Sequence, residues 1–592
     1  MPGGAVPPHG QGLADMAFDR KRLEPDRPIL SRRTATGWQD VTLAEFGHDV
    51  FRVAKGLLAD GVAARDRIGI LGHTCYEWVV ADFAIWTIGA VTVPIYPTSS
   101  EYQVGHIIRD AGVSGCFVEE PERLDMLGKG GLGVPADRRW LLGSSFDDLA
   151  DRGGSVPEEI VTGRRHAVRA DDLATIVYTS GTTGPPKGCM LTHGNMFAAA
   201  VNVVEQLGVV FSGSDPEPAS TLLFLPLSHV FGRVTQLGCL WAGVRTGHLA
   251  SPADLLAVMP SFRPTFLIAV PYALEKIRKN ARQLAGADVS AVDYRAAERT
   301  AIHEGKVRRG HALADPALRA GQPVFDRLVF RPLRAAFGGR LRYIVCGGAF
   351  LDPSTAEFMT GLGVEIFGAY GLTEASTAVS INAPGANRPG SVGRPLPGTT
   401  VAISDDGEVL VRGPQVSTGY WPPAERATPD DDDGWLATGD LGRLDDDGYL
   451  YIIGRRKEII ITNGGKNVSP APLEDRIRLH PLVSNCMVVG DERPFVTALV
   501  TVDRNAVRTW ADRLGLLLAD DSWHADERLR TELQPAVDAA NELVSRAESI
   551  RKIVVLPIDF SIADGHLTPS LKLRRDVIVA RFDKEIEQMY AG

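Results

Sequence analysis

Between Leu43 and Pro271 the chain alternates helical pieces with short β-branched runs, and this constrains its fold more than any other feature. EFGHDVFRVAKGLLADG is amphipathic at helical spacing, RIGILG reads as a strand, and the segment from Trp78 to Ala90 is helical again. Helices that follow strands have a sheet face to cover, so the pattern predicts an α/β architecture of mixed sheets covered by helices. Residues 272–335, rich in Ala and Arg, read as a mainly helical insertion, after which LRYIVCGGAF and GVEIFGAYGLTE restore the strand-and-turn pattern. Beyond Gly390 short strands and frequent turns predict a small β subdomain. PDDDDGW, Pro429 to Trp435, reads as a solvated turn rather than a metal site. The basic run Gly454-Arg455-Arg456-Lys457 is the strongest boundary, with a strand, a turn and a helix expected after it. The expected organisation is a flexible N-terminal tail over 1–30, a large domain over 31–454 and a small mobile α/β domain over 455–592.

A chain of 592 residues is too long for one core. Its formal charge of -10 argues against nucleic acid as a general partner, since a phosphate-backbone binder needs a basic domain or stripe. MPGGAVPPHGQG lacks an apolar run behind a basic start, so no signal peptide is expected. The most apolar window, CYEWVVADFAIWTIGAVTVPIYP, carries Glu77 and Asp82 and reads as a buried helix leading into a strand rather than a membrane span. Six cysteines show neither metal spacing nor a disulfide framework, which fits a reducing cytoplasm. Peripheral contact with the inner face of a membrane and the oligomeric state stay open.

The segment from Tyr178 to Asn195, YTSGTTGPPKGCMLTHGN, packs hydroxyls, glycines and one lysine behind the strand-like LATIVYT. Backbone N–H groups and hydroxyls in such a loop converge on an oxyanion, and a lysine adds a point charge, so phosphate is the expected guest. A Walker loop would run from Gly-Lys-Ser/Thr straight into a helix; here Lys187 is followed by Gly188 and a second strand-like stretch. The helix is expected only from Met196, ending near Gly208. An ordinary P-loop NTPase is therefore excluded.

In order along the chain stand this loop, LPLSHVFG, YGLTE, a TGD before a turn-rich segment, GRRKEIIITNGGKNVSP and a terminal LTPSLK. Together they resemble the adenylate-forming superfamily of acyl-CoA synthetases, luciferases and peptide-synthetase adenylation domains, from about residue 30 to 585. GGKNVSPAPLED and LTPSLKLRR look most like a bacterial long-chain fatty acid:CoA ligase.

The resemblance implies ATP, Mg²⁺ and coenzyme A as ligands and assigns roles by position. Ser180, Gly181, Thr182, Thr183, Gly184 and Lys187 would hold the β- and γ-phosphates. Tyr370 would flank adenine, Thr373 would bond the α-phosphate, and Glu374 would carry Mg²⁺, an acidic oxygen ligand suiting a hard cation. Gly347 and Gly348 would admit the nucleotide or acyl group close to the backbone. Asp440 and Arg455 would hold the ribose hydroxyls. His229 would gate the acyl channel, or simply cap and pack the helix it opens. Lys572 would stabilise the charge that spreads over the phosphoryl oxygens as pyrophosphate departs. Lys457 would be the hinge of the small domain, and Gly464 and Gly465 would leave a path for pantetheine.

The function so implied is ATP-dependent formation of a long-chain fatty acyl-adenylate, followed by transfer to coenzyme A. The alternatives are transfer to a carrier protein, or an aryl or medium-chain acid as substrate. A non-catalytic binder would be expected to have lost Lys572 or Glu374, and both are present. Motifs say nothing of chain length, because the side chains that set it are scattered over the large domain.

Overall fold

The computed structural model describes residues 4–5, 11–128, 132–179, 186–213, 218–286, 289–423, 434–517, 523–568 and 571–591. Two large sheets form its frame. A seven-stranded sheet runs in the order Tyr420–Trp421, Lys187–Thr192, Leu173–Thr179, Val91–Ile95, Arg67–Leu71, Gly115–Val118, Arg139–Leu141. Its first three strands are antiparallel neighbours and the others pair in parallel. The second sheet has nine strands with a parallel centre: Arg245–His248, Ser220–Leu223, Phe266–Ala269, Tyr343–Cys346 and Glu365–Leu372. Parallel strands need crossover helices, and these supply the main core between and over the sheets.

The apolar window expected to be a buried helix and strand is Tyr76–Thr87 followed by Val91–Ile95. Its acidic residue Asp82 is buried against Arg233 of the helix Val230–Ala242, with contacts of 2.8 and 3.1 Å. Thr92 donates to Asp82 and Arg233 donates to Thr175, both at 2.6 Å, while the guanidinium lies 5.5 Å from the Trp78 ring and 5.0 Å from that of Trp86. A buried ion pair survives only when its remaining polar atoms are satisfied, and here strands, helices and rings share that task.

The tail expected over 1–30 is a correction. Leu13, Ala14, Met16 and Ala17 are buried, and Asp15–Leu23 is a helix. Leu13 N–H donates to Nδ1 of His193 at 3.2 Å, and Arg165 pairs with Asp15 at 3.2 Å. LADMAF therefore carries enough apolar surface to dock, despite the Gly- and Pro-rich residues before it. The helix expected from Met196 starts at His193 instead, because Thr192 and Asn195 cap each other reciprocally. The insertion after Pro271 is helical over Pro271–Ala285, Ala291–Arg308, Pro316–Phe325 and Arg331–Ala336.

A four-stranded antiparallel sheet, Thr400–Ile403, Glu408–Arg412, Leu436–Leu444 and Leu450–Arg455, forms the expected β subdomain. Most of PDDDDGW lies outside the described residues. The chain then turns through 456–458 into the smaller C-terminal domain, whose own cores pack a sheet of Val483–Val489, Val496–Val502 and Ile550–Val555 between helices.

Candidate active site

Open α/β sheets bind ligands beyond the carboxyl ends of their parallel strands. Those ends meet here around one cavity of about 1970 Å³. The strands Leu173–Thr179, Ser220–Leu223, Phe266–Ala269, Tyr343–Cys346 and Glu365–Leu372 each finish at its wall, with Thr179, Phe224, Val270, Gly347 and Tyr370 among its lining residues.

The wall at the Glu365–Leu372 strand is the most polar. Tyr370 donates its hydroxyl to Oδ2 of Asp440 at 2.6 Å, and Arg455 pairs with Oδ1 at 3.2 Å. Asp440 and Arg455 face each other across the antiparallel strands Leu436–Leu444 and Leu450–Arg455, so strand register alone makes them neighbours. Burial, reinforced by the Asp440 charge, pushes the Tyr370 phenol far above its ordinary range, leaving it a committed donor. Thr373 and Glu374 occupy the short turn after the same strand. Glu374 accepts from the hydroxyl of Tyr420, whose edge strand lies beside Lys187–Thr192.

Lys187 stands at the foot of the hairpin opposite Thr179 and lies 5.9 Å from the Tyr420 ring centre. The remaining loop residues expected to hold phosphate, Ser180, Gly181, Thr182, Thr183 and Gly184, lie outside the described residues. Gly347 and Gly348 line the cavity; a Cβ on Gly347 would sit 3.1 Å from the carbonyl of Ala369, and Gly348 has φ of +88°.

From the C-terminal domain comes Lys572. It sits in a tight turn where Thr568 N–H donates to the Lys572 carbonyl at 2.8 Å and Lys572 N–H to the Thr568 hydroxyl at 3.0 Å. Solvent reaches its side chain from the cavity. Crowding by protein and the Arg455 charge lower its pKa, while Glu458, Asp440 and Glu374 act the other way. His229 caps the helix Val230–Ala242, its Nδ1 accepting from Phe231 N–H at 3.0 Å. Burial and the nearby Lys572 hold it down to about 4, so it is neutral at physiological pH. It both caps a helix and lines the cavity, 6.4 Å from the Tyr96 ring.

Past His229 the cavity continues as an apolar arm lined by Ala200, Val203, Phe211, Val230, Val234 and Gly238. Lys457 is exposed at the cavity's edge, in the turn that joins the two domains. Gly464 and Gly465 are not brought to the site: they turn between Ile460–Ile461 and Asn467–Val468, away from the cavity lining. Two features escaped the motif reading. Tyr420 holds Glu374 from 46 residues away, and nothing in GYW marks it for that task. The domains are also clasped by Arg476, which pairs with Asp352 at 3.2 Å, by Arg478 with Glu275 at 3.5 Å, and by Lys279 donating to the Val483 carbonyl at 2.8 Å. Among the described residues no group of three or more His, Cys, Asp or Glu is placed to hold a metal ion. Glu374 alone fits Mg²⁺, which takes one or two carboxylates together with substrate phosphates and water.

Family models place this geometry. The model described as AMP-binding enzyme matches residues 18–421, and that described as AMP-binding enzyme C-terminal domain matches 457–592. The chain is 41% identical over 589 residues to the long-chain-fatty-acid–CoA ligase FadD15 of Mycobacterium bovis, covering 98% of this chain and 97% of that one. It is 29% identical to the long-chain-fatty-acid–CoA ligase ACSBG2 of Rattus norvegicus, covering 95% and 91%. Among solved structures, the anthranilate CoA ligase AuaEII in complex with anthranoyl-AMP superposes with a TM-score of 0.71 at 20% identity, covering 97% of this chain and 98% of that one. That likeness speaks for the fold alone. With both models matched across nearly the whole chain, this protein belongs to the AMP-binding enzymes of the adenylate-forming superfamily.

Proposed function

We propose that this protein is an ATP-dependent acid–thiol ligase that joins a long-chain fatty acid to coenzyme A through an acyl-adenylate. The observation that carries the reading is the position of Lys572, which enters the same cavity as Asp440, Arg455 and Glu374, at the head of an apolar arm. The names of the FadD15 and ACSBG2 relatives support the substrate class.

In the first half-reaction the fatty carboxylate attacks the α-phosphorus of ATP, and the bond to pyrophosphate breaks. Asp440 and Arg455 orient the ribose, Tyr370 flanks the base while fixing Asp440, and Lys187 with the loop 180–184 holds the leaving phosphates. Thr373 bonds the α-phosphate. The Lys572 ammonium meets the charge that develops on the phosphoryl oxygens and stabilises it there. Glu374 would hold Mg²⁺, which would supply charge neutralisation at the phosphates. The neutral His229 borders the acyl arm and adds no charge at the carboxylate's approach.

In the second half-reaction the coenzyme A thiol attacks the acyl carbonyl and AMP leaves. The Gly464-Gly465 turn faces away from the site in this orientation, so a rotation of the small domain about Lys457 would bring it in as Lys572 withdraws. The test is a panel of acids of increasing chain length with ATP, Mg²⁺ and coenzyme A. AMP and acyl-CoA formation are expected to peak with long-chain acids. Adenylate formation without acyl-CoA would point to a carrier protein instead, and a peak with aryl or short acids would overturn the substrate class.

A further inference from the structure

The two charges proposed to meet the triphosphate and its metal belong to different sheets. Lys187 opens a strand of the seven-stranded sheet, whereas Glu374 lies in the turn after a strand of the nine-stranded one. The segment from Ser417 to Trp421 joins them. Ser417 N–H donates to the Glu374 carbonyl at 2.7 Å, Thr418 N–H to the Met190 carbonyl at 3.3 Å, and Met190 N–H to the Gly419 carbonyl at 2.9 Å. Tyr420 and Trp421 then form an edge strand beside Cys189 and Gly188. Pro422 and Pro423, which have no N–H for the ladder, end it. Successive side chains of a strand leave on opposite faces. Trp421 goes to one side, donating its indole N–H to the Asp110 carbonyl at 2.9 Å. Tyr420 goes to the other, together with its cross-strand partner Cys189, whose thiol lies 3.8 Å from the Thr373 carbonyl. The Tyr420 hydroxyl donates to Oε1 of Glu374, and its ring centre lies 5.9 Å from the Lys187 ammonium, within cation–π range. One phenol therefore reaches both the anion and the cation at this end of the cavity. Partial burial and the Glu374 carboxylate hold its pKa far above the ordinary range, so it stays an uncharged donor.

We propose that Tyr420 is a positioning residue for Mg²⁺, its hydroxyl fixing one oxygen of Glu374 and leaving the other to the metal. The inference rests on the reading of Glu374 as the metal's carboxylate. Mg²⁺ demands near-ideal octahedral geometry and takes only one or two carboxylates beside substrate phosphates and water, so the orientation of that carboxylate decides how well the metal is held. A hydrogen bond to one carboxylate oxygen restricts rotation about the last torsion of the side chain, as partners of metal-ligating groups generally do. Tyr420 is itself anchored by the edge strand on one side and by the Ser417 bond to the Glu374 backbone on the other. A nucleotide arriving with its metal thus meets a lysine and a carboxylate that are both held to one rigid side chain. Tyr420→Phe separates these contacts, since it keeps the ring beside Lys187 and removes only the hydroxyl.

The test is calorimetric binding of α,β-methylene-ATP, an analogue that cannot release pyrophosphate, to the full chain with Mg²⁺ in excess over the analogue and again with EDTA and no metal. Neither acid nor coenzyme A is present. Tyr420→Phe is expected to weaken binding with Mg²⁺ by about tenfold, the low end of what losing the partner of a metal ligand costs, and to leave metal-free binding within about twofold of wild type. Glu374→Gln should weaken binding with Mg²⁺ at least as much, and not without it. Trp421→Phe, which alters the other face of the same edge strand, should match the wild type in both conditions. Wild-type binding with Mg²⁺ by Tyr420→Phe, beside an impaired Glu374→Gln, overturns the inference and leaves the proposed metal site standing. Equal weakening of Tyr420→Phe with and without metal, or the same loss in Trp421→Phe, overturns it too, because strand packing would then be the cause. If Glu374→Gln also binds like the wild type, the reading of Glu374 as the metal's carboxylate fails and the inference falls with it.

Discussion

Tyr370 and Asp440, 70 residues apart, are joined by a hydrogen bond of 2.6 Å that ties the end of a large-sheet strand to the β subdomain. The other carboxylate oxygen is held by Arg455, so Asp440 is fixed from two sides while only 4% exposed.

That fixed carboxylate gives the first expectation. Asp440→Ala should raise KM for ATP by tenfold or more, and the penalty for 2′-deoxy-ATP should shrink in the variant, because a deleted partner has nothing left to lose. Tyr370→Phe, which removes one of the two partners of Asp440 and leaves Arg455, should cost only a few-fold. Steady-state kinetics with both nucleotides decides this; an unchanged deoxy penalty in Asp440→Ala would place ribose recognition elsewhere.

The proposed pantetheine path past the Gly464 turn gives an expectation that would separate the half-reactions. Gly465 carries the positive φ of +71°, whereas a Cβ on Gly464 meets nothing closer than 3.9 Å. Gly464→Leu should therefore fold with an unshifted melt and release pyrophosphate normally, yet lose most acyl-CoA formation. Normal acyl-CoA output from the folded variant would remove this turn from the pantetheine path.

Gly238 lines the apolar arm. A Cβ there comes within 3.3 Å of the Val204 side chain and 3.9 Å of the Phe211 ring, so a larger side chain must project into the arm or displace its wall. Gly238→Leu should shift the preferred acid to shorter chains by several carbons. An unmoved chain-length profile in a stable variant would put the acyl chain in another part of the cavity.

The clasp between domains biases the orientation in which Lys572 enters the site. Arg476 reaches both Asp352 and Ser354, the latter at 2.9 Å, across the interface. Arg476→Met leaves Asp352 its role as cap of the helix Pro353–Gly361, where it accepts from Ser354 N–H at 2.8 Å. Loss of ~1–3 kcal/mol from one orientation should slow adenylate formation by about five- to a hundredfold while sparing thioester formation from supplied adenylate. Equal slowing of both steps would show a general packing defect.

Much of this was legible in the sequence where local chemistry decides structure. The strand read from LATIVYT is Leu173–Thr179, and the helix-and-strand reading of the apolar window holds because Asp82 excluded a membrane span. Motif order brought Lys572, Asp440, Glu374 and Tyr370 to one cavity, although 202 residues separate Tyr370 from Lys572. What stayed hidden depends on distant partners. Arg233 meets Asp82 across 151 positions and Arg476 meets Asp352 across 124, and no local pattern announces either pair. The N-terminal helix was missed because its apolar residues are few and docking, not propensity, orders them. The start at His193 was missed because Asn195 replaces the Glu or Gln that usually signals a capping box.

The most direct measurement is a pair of half-reaction assays on Lys572→Ala. With ATP and a long-chain acid, adenylate and pyrophosphate formation should fall by about a hundredfold or more, the scale expected on losing a charge that acts in the transition state. With the acyl-adenylate supplied, acyl-CoA formation from coenzyme A should remain within a few-fold of wild type. Equal loss in both assays, or full adenylate formation without the lysine, would contradict the assignment of this cavity to acid activation.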